Sequence, residues 1–271
     1  DLGNVAIEDL DTSKSVKFSD LDDLKGFTTT ALKSATIDGE GKPVTIETNS
    51  ATYGKFEKTD GLTVDGVKLT LTGSGDLVTK VVNNAATLAD VTLTNEGVLA
   101  VTGQNAVIGN VTADSNTEGY FEVEQGGSLT VKGNVDVTDL AVGADSSMTI
   151  DASKTDVPYT VKTGYLEVEQ GGVFTAEAAT VELTNNSTTD ADSAGYIAGT
   201  AKVKGIKASN NGNLVVAGTL DVTDTLEMGS GTLSVGDADR SAGTLTVGTL
   251  KSGTVNVSAD WVKNEGVSIA S

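Results

Sequence analysis

Two nine-residue stretches carry the side chains of this sequence best suited to chemistry. Gly119-Tyr120-Phe121-Glu122-Val123-Glu124-Gln125-Gly126-Gly127 returns 45 residues later as Gly164-Tyr165-Leu166-Glu167-Val168-Glu169-Gln170-Gly171-Gly172. In a strand, alternate side chains share a face. With Phe121 and Val123 turned inward, Tyr120, Glu122 and Glu124 stand on one flank, and the second copy adds Tyr165, Glu167 and Glu169 to it. Phenols and carboxylates in a stripe suit a basic or glycan partner, or a Ca²⁺ ion held by oxygen ligands. The plainer reading is an acidic face that keeps the protein soluble and blocks lateral strand pairing. Gly195-Tyr196-Ile197 opens a third copy without the glutamates, which weighs toward that plainer reading.

Other chemistry is narrowed by what the chain lacks. With His 0 and Cys 0, Ser-His-Asp, Cys-His and zinc arrangements are unavailable. Pairs such as Asp136 and Asp139, or Asp221 and Asp224, would serve glycoside hydrolysis if adjacent rungs brought them together. One Trp and 18 Lys plus Arg leave few platforms to hold a sugar, so these carboxylates read as solvated turn residues and no catalytic residue is assigned. Asp38-Gly39-Glu40-Gly41 and Asp237-Ala238-Asp239 do not follow a calcium-loop pattern and read as turns. No cofactor is expected, with Ca²⁺ at the stripe as the one exception considered. Outward pairs Thr70/Thr72 and Thr92/Thr94 resemble the start of an ice-binding array, but neighbouring rungs change to Glu, Lys and Asn, and strand propensity accounts for the threonines.

The elements that position these residues follow from composition and repeats. Only 38% of the 271 residues are hydrophobic and 4% aromatic, so a broad aromatic core is excluded; Val, Leu, Ile, Ala and Thr predominate, which suits small side chains stacked in a narrow interior. A net charge of −20 would repel nucleic acid and anionic membranes, and no segment approaches the length of an apolar spanning helix. The sequence opens Asp1-Leu2-Gly3 without signal-peptide regions, so any leader or anchor is expected outside it.

A shorter unit, Gly-Xaa-apolar-Xaa-apolar, starts at Gly97, Gly127, Gly172, Gly212, Gly231, Gly243 and Gly253. A further match aligns Gly127 through Asp139 with Gly212 through Asp224, 85 residues on. Glycine-opened, period-2 strands at irregular offsets predict a solenoid whose rungs, roughly 20 residues each, keep their strands and vary their loops. The expected fold is all-β, a single-stranded parallel β-helix (β-solenoid) with a short N-terminal cap. The cap is expected over residues 1–34, with a helical turn at Ser19–Gly26, and one continuous solenoid over 35–271. Asn185–Ser193 reads as a projecting loop, and Trp261 as a cover on the last rung.

The Gly-Xaa-Leu-Xaa-Val rungs, the Gln-Gly-Gly turns, the Thr and Asn content, the acidity and the absence of Cys together resemble the passenger domains of bacterial autotransporter adhesins of the self-associating and diffuse-adherence type, loosely over residues 35 to 260. The resemblance implies a right-handed parallel β-helix, export across two membranes to the cell surface, and adhesion or aggregation through the flank of the rod. Partners would be a second copy of the chain, a host or bacterial surface protein, or a glycan. A polysaccharide-binding or -cleaving β-helix, and a surface-layer or fibre subunit, are the alternatives.

Overall fold

The computed structural model describes residues 90–114, 118–152, 159–184, 193–208, 212–236 and 243–251. It also describes the isolated strands Val16–Lys17, Ser34–Ile37, Val44–Thr48, Gly61–Asp65, Lys68–Leu71, Gly75–Val81, Thr87–Leu88, Thr254–Val257 and Ser268–Ala270. The described residues are strands, turns and bends without a helix, and the strands stack in parallel as a β-solenoid. The Ser19–Gly26 turn, most of the 1–34 cap, the Asp38–Gly41 and Asp237–Asp239 turns, the Asn185–Ser193 loop up to residue 192, and Trp261 lie outside the described residues.

Each coil crosses three faces in a fixed order. Gly97–Val101 lies on the first, Ala106–Ile108 on the second and Val111–Ala113 on the third, and Gly119–Val123 then returns to the first, paired in parallel with Gly97–Val101. Where a corner is tight, one continuous strand serves two faces: Val135–Val142 pairs with Val111 at its start and with Phe121 and Val123 near its end. Along the first face, Leu99, Phe121, Leu140, Leu166, Gly195, Leu214, Leu233 and Val255 are successive partners, 22, 19, 26, 29, 19, 19 and 22 residues apart. Strand pairing persists while corner lengths vary, which is the behaviour the irregular offsets predicted, and the register shifts locally at Ser193/Gly195, Ala176/Thr180, Val203/Ile206 and Val222/Thr225. The 45-residue repeat therefore spans two coils of one face. The 85-residue match instead joins Ser128–Val131 on the second face to Asn213–Val216 on the first, so the two copies share a strand motif and not a place in the coil. One antiparallel pairing, Val78 with Leu88 and Thr79 with Thr87, occurs among the described residues.

The alternation of the sequence becomes an alternation of burial. Leu99, Phe121, Leu140 and Leu166 are fully buried as one inward row, and Val101, Val123, Val142 and Val168 form the next. Opposite them, Met148 and Phe174 pair on the second face, and Phe174 is followed by the small Ala201, which leaves room for its ring. Burying each such side chain removes it from water at a gain of about 1.5–3 kcal/mol.

Corners are held by side chains that pass hydrogen bonds from coil to coil. Asp90 Oδ1 accepts the Asn110 amide at 2.7 Å, Asn110 Oδ1 accepts the Asn134 amide at 2.7 Å, and Asn134 Oδ1 accepts the Thr160 amide at 2.9 Å. At the corner between first and second faces, Ser128 Oγ accepts the Asn105 amide at 2.6 Å and Ser146 Oγ accepts the Gly126 amide at 3.1 Å. The Gln-Gly-Gly turn follows from the same corner. Gln125 and Gly126 take φ of 56° and 79°, in the left-handed region. Gly127 has no space for a side chain, since a Cβ there would lie 2.5 Å from the Val101 carbonyl oxygen of the coil below.

Candidate functional site

The Tyr/Glu stripe maps onto the outward side of the first face. Tyr120, Asp139 and Tyr165 are direct partners on three successive coils, and Glu122, Ala141 and Glu167 form the adjoining row. Tyr196 continues that second row beside Glu167. Parallel strands lie about 4.8 Å apart, so the Tyr120 and Tyr165 backbones are roughly 9.6 Å apart. Between them the short Asp139 and the still shorter Ala141 leave a depression of about 160 Å³, floored by Leu140 and Ala141 and walled by Tyr120, Glu122, Tyr165 and Glu167.

Four of the six stripe residues named from the sequence thus meet at one place: Tyr120, Glu122, Tyr165 and Glu167. Glu124 and Glu169 do not line it. Both lie just past their strands at the corner, where the Glu124 carbonyl accepts the Gly127 amide and Glu169 Oε2 accepts the Ala144 amide at 2.9 Å. Their work is in the turn.

Buried threonines fix the approach to both tyrosines. Thr138 Oγ1 accepts the Gly119 amide at 3.0 Å, just before Tyr120, and the Thr163 hydroxyl donates to the Tyr165 carbonyl at 2.7 Å. Gly119 is required by space, because a Cβ there would come within 2.7 Å of Ala113 Cβ and 2.8 Å of Leu93 Cβ. The Tyr120 hydroxyl donates to Glu118 Oε2. That hydrogen bond holds the Tyr120 phenol well above its ordinary range, with further upward pressure from burial and from the charges of Glu118, Asp139 and Glu96. Tyr120 is therefore a neutral donor throughout the physiological range.

Asp139 is the residue whose place the sequence did not reveal. Paired in reading with Asp136 as a possible catalytic couple, it lies on a different face: Asp136 partners Lys162 on the third face, with Lys162 Nζ 2.9 Å from its Oδ2, while Asp139 sits between the tyrosines. Its signal was the 19-residue coil that sets Asp139-Leu140-Ala141-Val142 in register with Tyr120-Phe121-Glu122-Val123. Asp221 and Asp224 do not converge either. Asp221 faces Lys202 and Thr246 along the second face, and Asp224 accepts from Thr225 at 3.3 Å at a corner. No group of three Asp, Glu, His or Cys side chains close enough to hold a metal ion occurs among the described residues.

Chemically, the depression offers carboxylate and phenol oxygens beside aromatic ring surface, on strands that the corner hydrogen bonds hold in place. The fold and this outward face define a parallel β-solenoid with an acidic, tyrosine-bearing flank. Comparison of the chain with protein-family models, with curated proteins and with solved structures returns no match.

Proposed function

We propose that the chain is a non-enzymatic surface protein of a bacterium, working outside the cell in adhesion, self-association or surface coating. The observation that carries this reading is the repetition of outward side chains in register. Thr130, Thr149 and Thr175 follow one another on the second face, as do Thr200, Thr219 and Thr244, so this flank presents the same type of weak polar contact over runs of three coils. Weak contacts on one rigid support add by multivalency. The net charge of −20 agrees with a protein that meets neutral or basic surfaces, and a sequence without His or Cys offers no Ser-His-Asp, Cys-His or zinc arrangement.

Sedimentation velocity over a range of concentrations, with and without Ca²⁺, beside a glycan-binding screen, tests the reading. Reversible association or glycan capture supports it, and an inert monomer that binds no surface defeats it. The depression between Tyr120 and Tyr165 favours one second reading, a polysaccharide-acting β-helix. Shortening of a bound polysaccharide would establish that reading in place of the first.

A further inference from the structure

We propose that the depression between Tyr120 and Tyr165, with Tyr196 beyond it, is a track for an extended glycan chain bearing free amino groups, such as a β-linked glucosamine polymer. The proposal rests on the adhesive reading above and names its ligand class.

Aromatic surface comes first. Three of the five tyrosines in the chain, Tyr120, Tyr165 and Tyr196, stand half-buried on the outward side of one face, on coils joined by direct strand pairing. Sugar rings stack their C–H faces on such rings, and a tyrosine brings a hydroxyl at the wet end.

Spacing decides between a glycan and a peptide. Tyr120 and Tyr165 occupy the same row two coils apart, roughly 9.6 Å along the stacking direction. That rise is close to two units of an extended β-linked hexose chain, so alternate sugars meet a ring. An extended peptide repeats same-side side chains every ~6.6–6.8 Å, out of step with the two tyrosines.

Charge then selects among glycans. The ionisable side chains lining the depression, apart from the phenols, are Glu122, Asp139 and Glu167, all acidic. They would accept hydrogen bonds from ammonium groups with charge assistance and repel uronic acids or sulfated sugars. Ala141 supplies the room: a longer side chain between Glu122 and Glu167 would fill the volume of about 160 Å³, which suits one ring-sized group at a time.

The test is calorimetric titration of the full chain with hexamers of glucosamine, N-acetylglucosamine and a uronic acid, and with hexalysine, at a pH where the amines are protonated. Wild type, Asp139→Asn, Tyr165→Ala and the third-face control Asp136→Asn are compared, with circular dichroism melting to establish that each is folded. The glucosamine hexamer is expected to bind, Asp139→Asn and Tyr165→Ala each to weaken it on the order of tenfold, and Asp136→Asn to leave it unchanged. The acetylated hexamer is expected to bind on the order of tenfold more weakly, and the uronic acid hexamer not to bind. Equal binding of the acetylated hexamer, or hexalysine binding more tightly with the same variant dependence, overturns the proposal, the latter in favour of a cationic protein segment. Sedimentation of the same samples separates the two levels. Self-association without glucosamine binding removes the track and leaves the adhesive reading standing, whereas a monomer that binds nothing removes both.

Discussion

Asn110 and Asn134 stand one coil apart, and the side-chain oxygen of the first accepts the backbone N–H of the second at 2.7 Å. Asn134 then repeats the arrangement upward, its own side-chain oxygen taking the Thr160 amide at 2.9 Å and the Thr160 hydroxyl at 3.3 Å. Each asparagine is both donor to the coil below and acceptor from the coil above. Asn134→Ala is expected to cost about 1–2 kcal/mol in denaturant unfolding, because the corner amide of Thr160 loses its acceptor. Asn134→Asp keeps the acceptor and should cost less.

Phe121 has no exposed surface and sits in the inward row between Leu99 and Leu140. Phe121→Ala is expected to destabilise by about 3–5 kcal/mol. Because each coil packs on its neighbours alone, hydrogen exchange should show the loss concentrated on strands 97–101 and 139–142, with the strand Thr232–Val235 little affected.

Two adjacent glycines should respond differently to the same change. Gly126 has a φ of 79° and open space around its Cβ position, so Gly126→Ala should cost about 1 kcal/mol. Gly127→Ala places a methyl against the Val101 carbonyl and should cost about 1–3 kcal/mol. Thermal melts of the two variants, with Gly126→Asn as a milder replacement, would measure the difference.

Tyr120 gives a pH dependence. Its phenol is held above the ordinary value of 10.0, first by the hydrogen bond to Glu118. The folded state therefore favours the protonated phenol. The resulting stability is complete below pH 10.0 and is lost as the pH rises through the higher folded value. Wild type should lose stability in strong alkali more steeply than Tyr120→Phe, measured as unfolding midpoint against pH.

The Asp136–Lys162 pair, 2.9 Å apart, joins adjacent coils on the third face with its side chains 49% and 43% exposed. Asp136→Ala should cost no more than about 0.5 kcal/mol at low salt and nothing measurable at high salt.

Strand positions were legible because a period of two with Leu, Val and Phe inward admits one register: Phe121 and Val123 had to be inside, and Tyr120 and Glu122 outside. Legible too was the Gln-Gly-Gly turn, whose need for left-handed backbone and for an absent Cβ is written in the residue types. The face occupied by each strand was not. The same Gly-Xaa-Leu-Xaa-Val motif serves the second face at Leu129 and the first at Leu214, because any face of the coil buries the same small side chains. Asp139 was hidden for a related reason: its neighbours come from coils 19 residues before and 26 after, and the lengths of the intervening corners are not fixed by any local preference. The corner asparagines left a trace in Gly109-Asn110-Val111 and Gly133-Asn134-Val135, a repeat too short to stand out among the glycine turns.

The direction of the strand pairing sets how the molecule would answer a pull. Its ladder hydrogen bonds run along the stacking direction, so tension between the two ends bears on them head-on, and they open one coil at a time instead of shearing together. A released coil of 19 residues yields roughly 60–65 Å of slack. Tethered at one end and loaded at the other, the solenoid is a spool that lengthens in steps under force and shortens again as coils re-form on the template left standing.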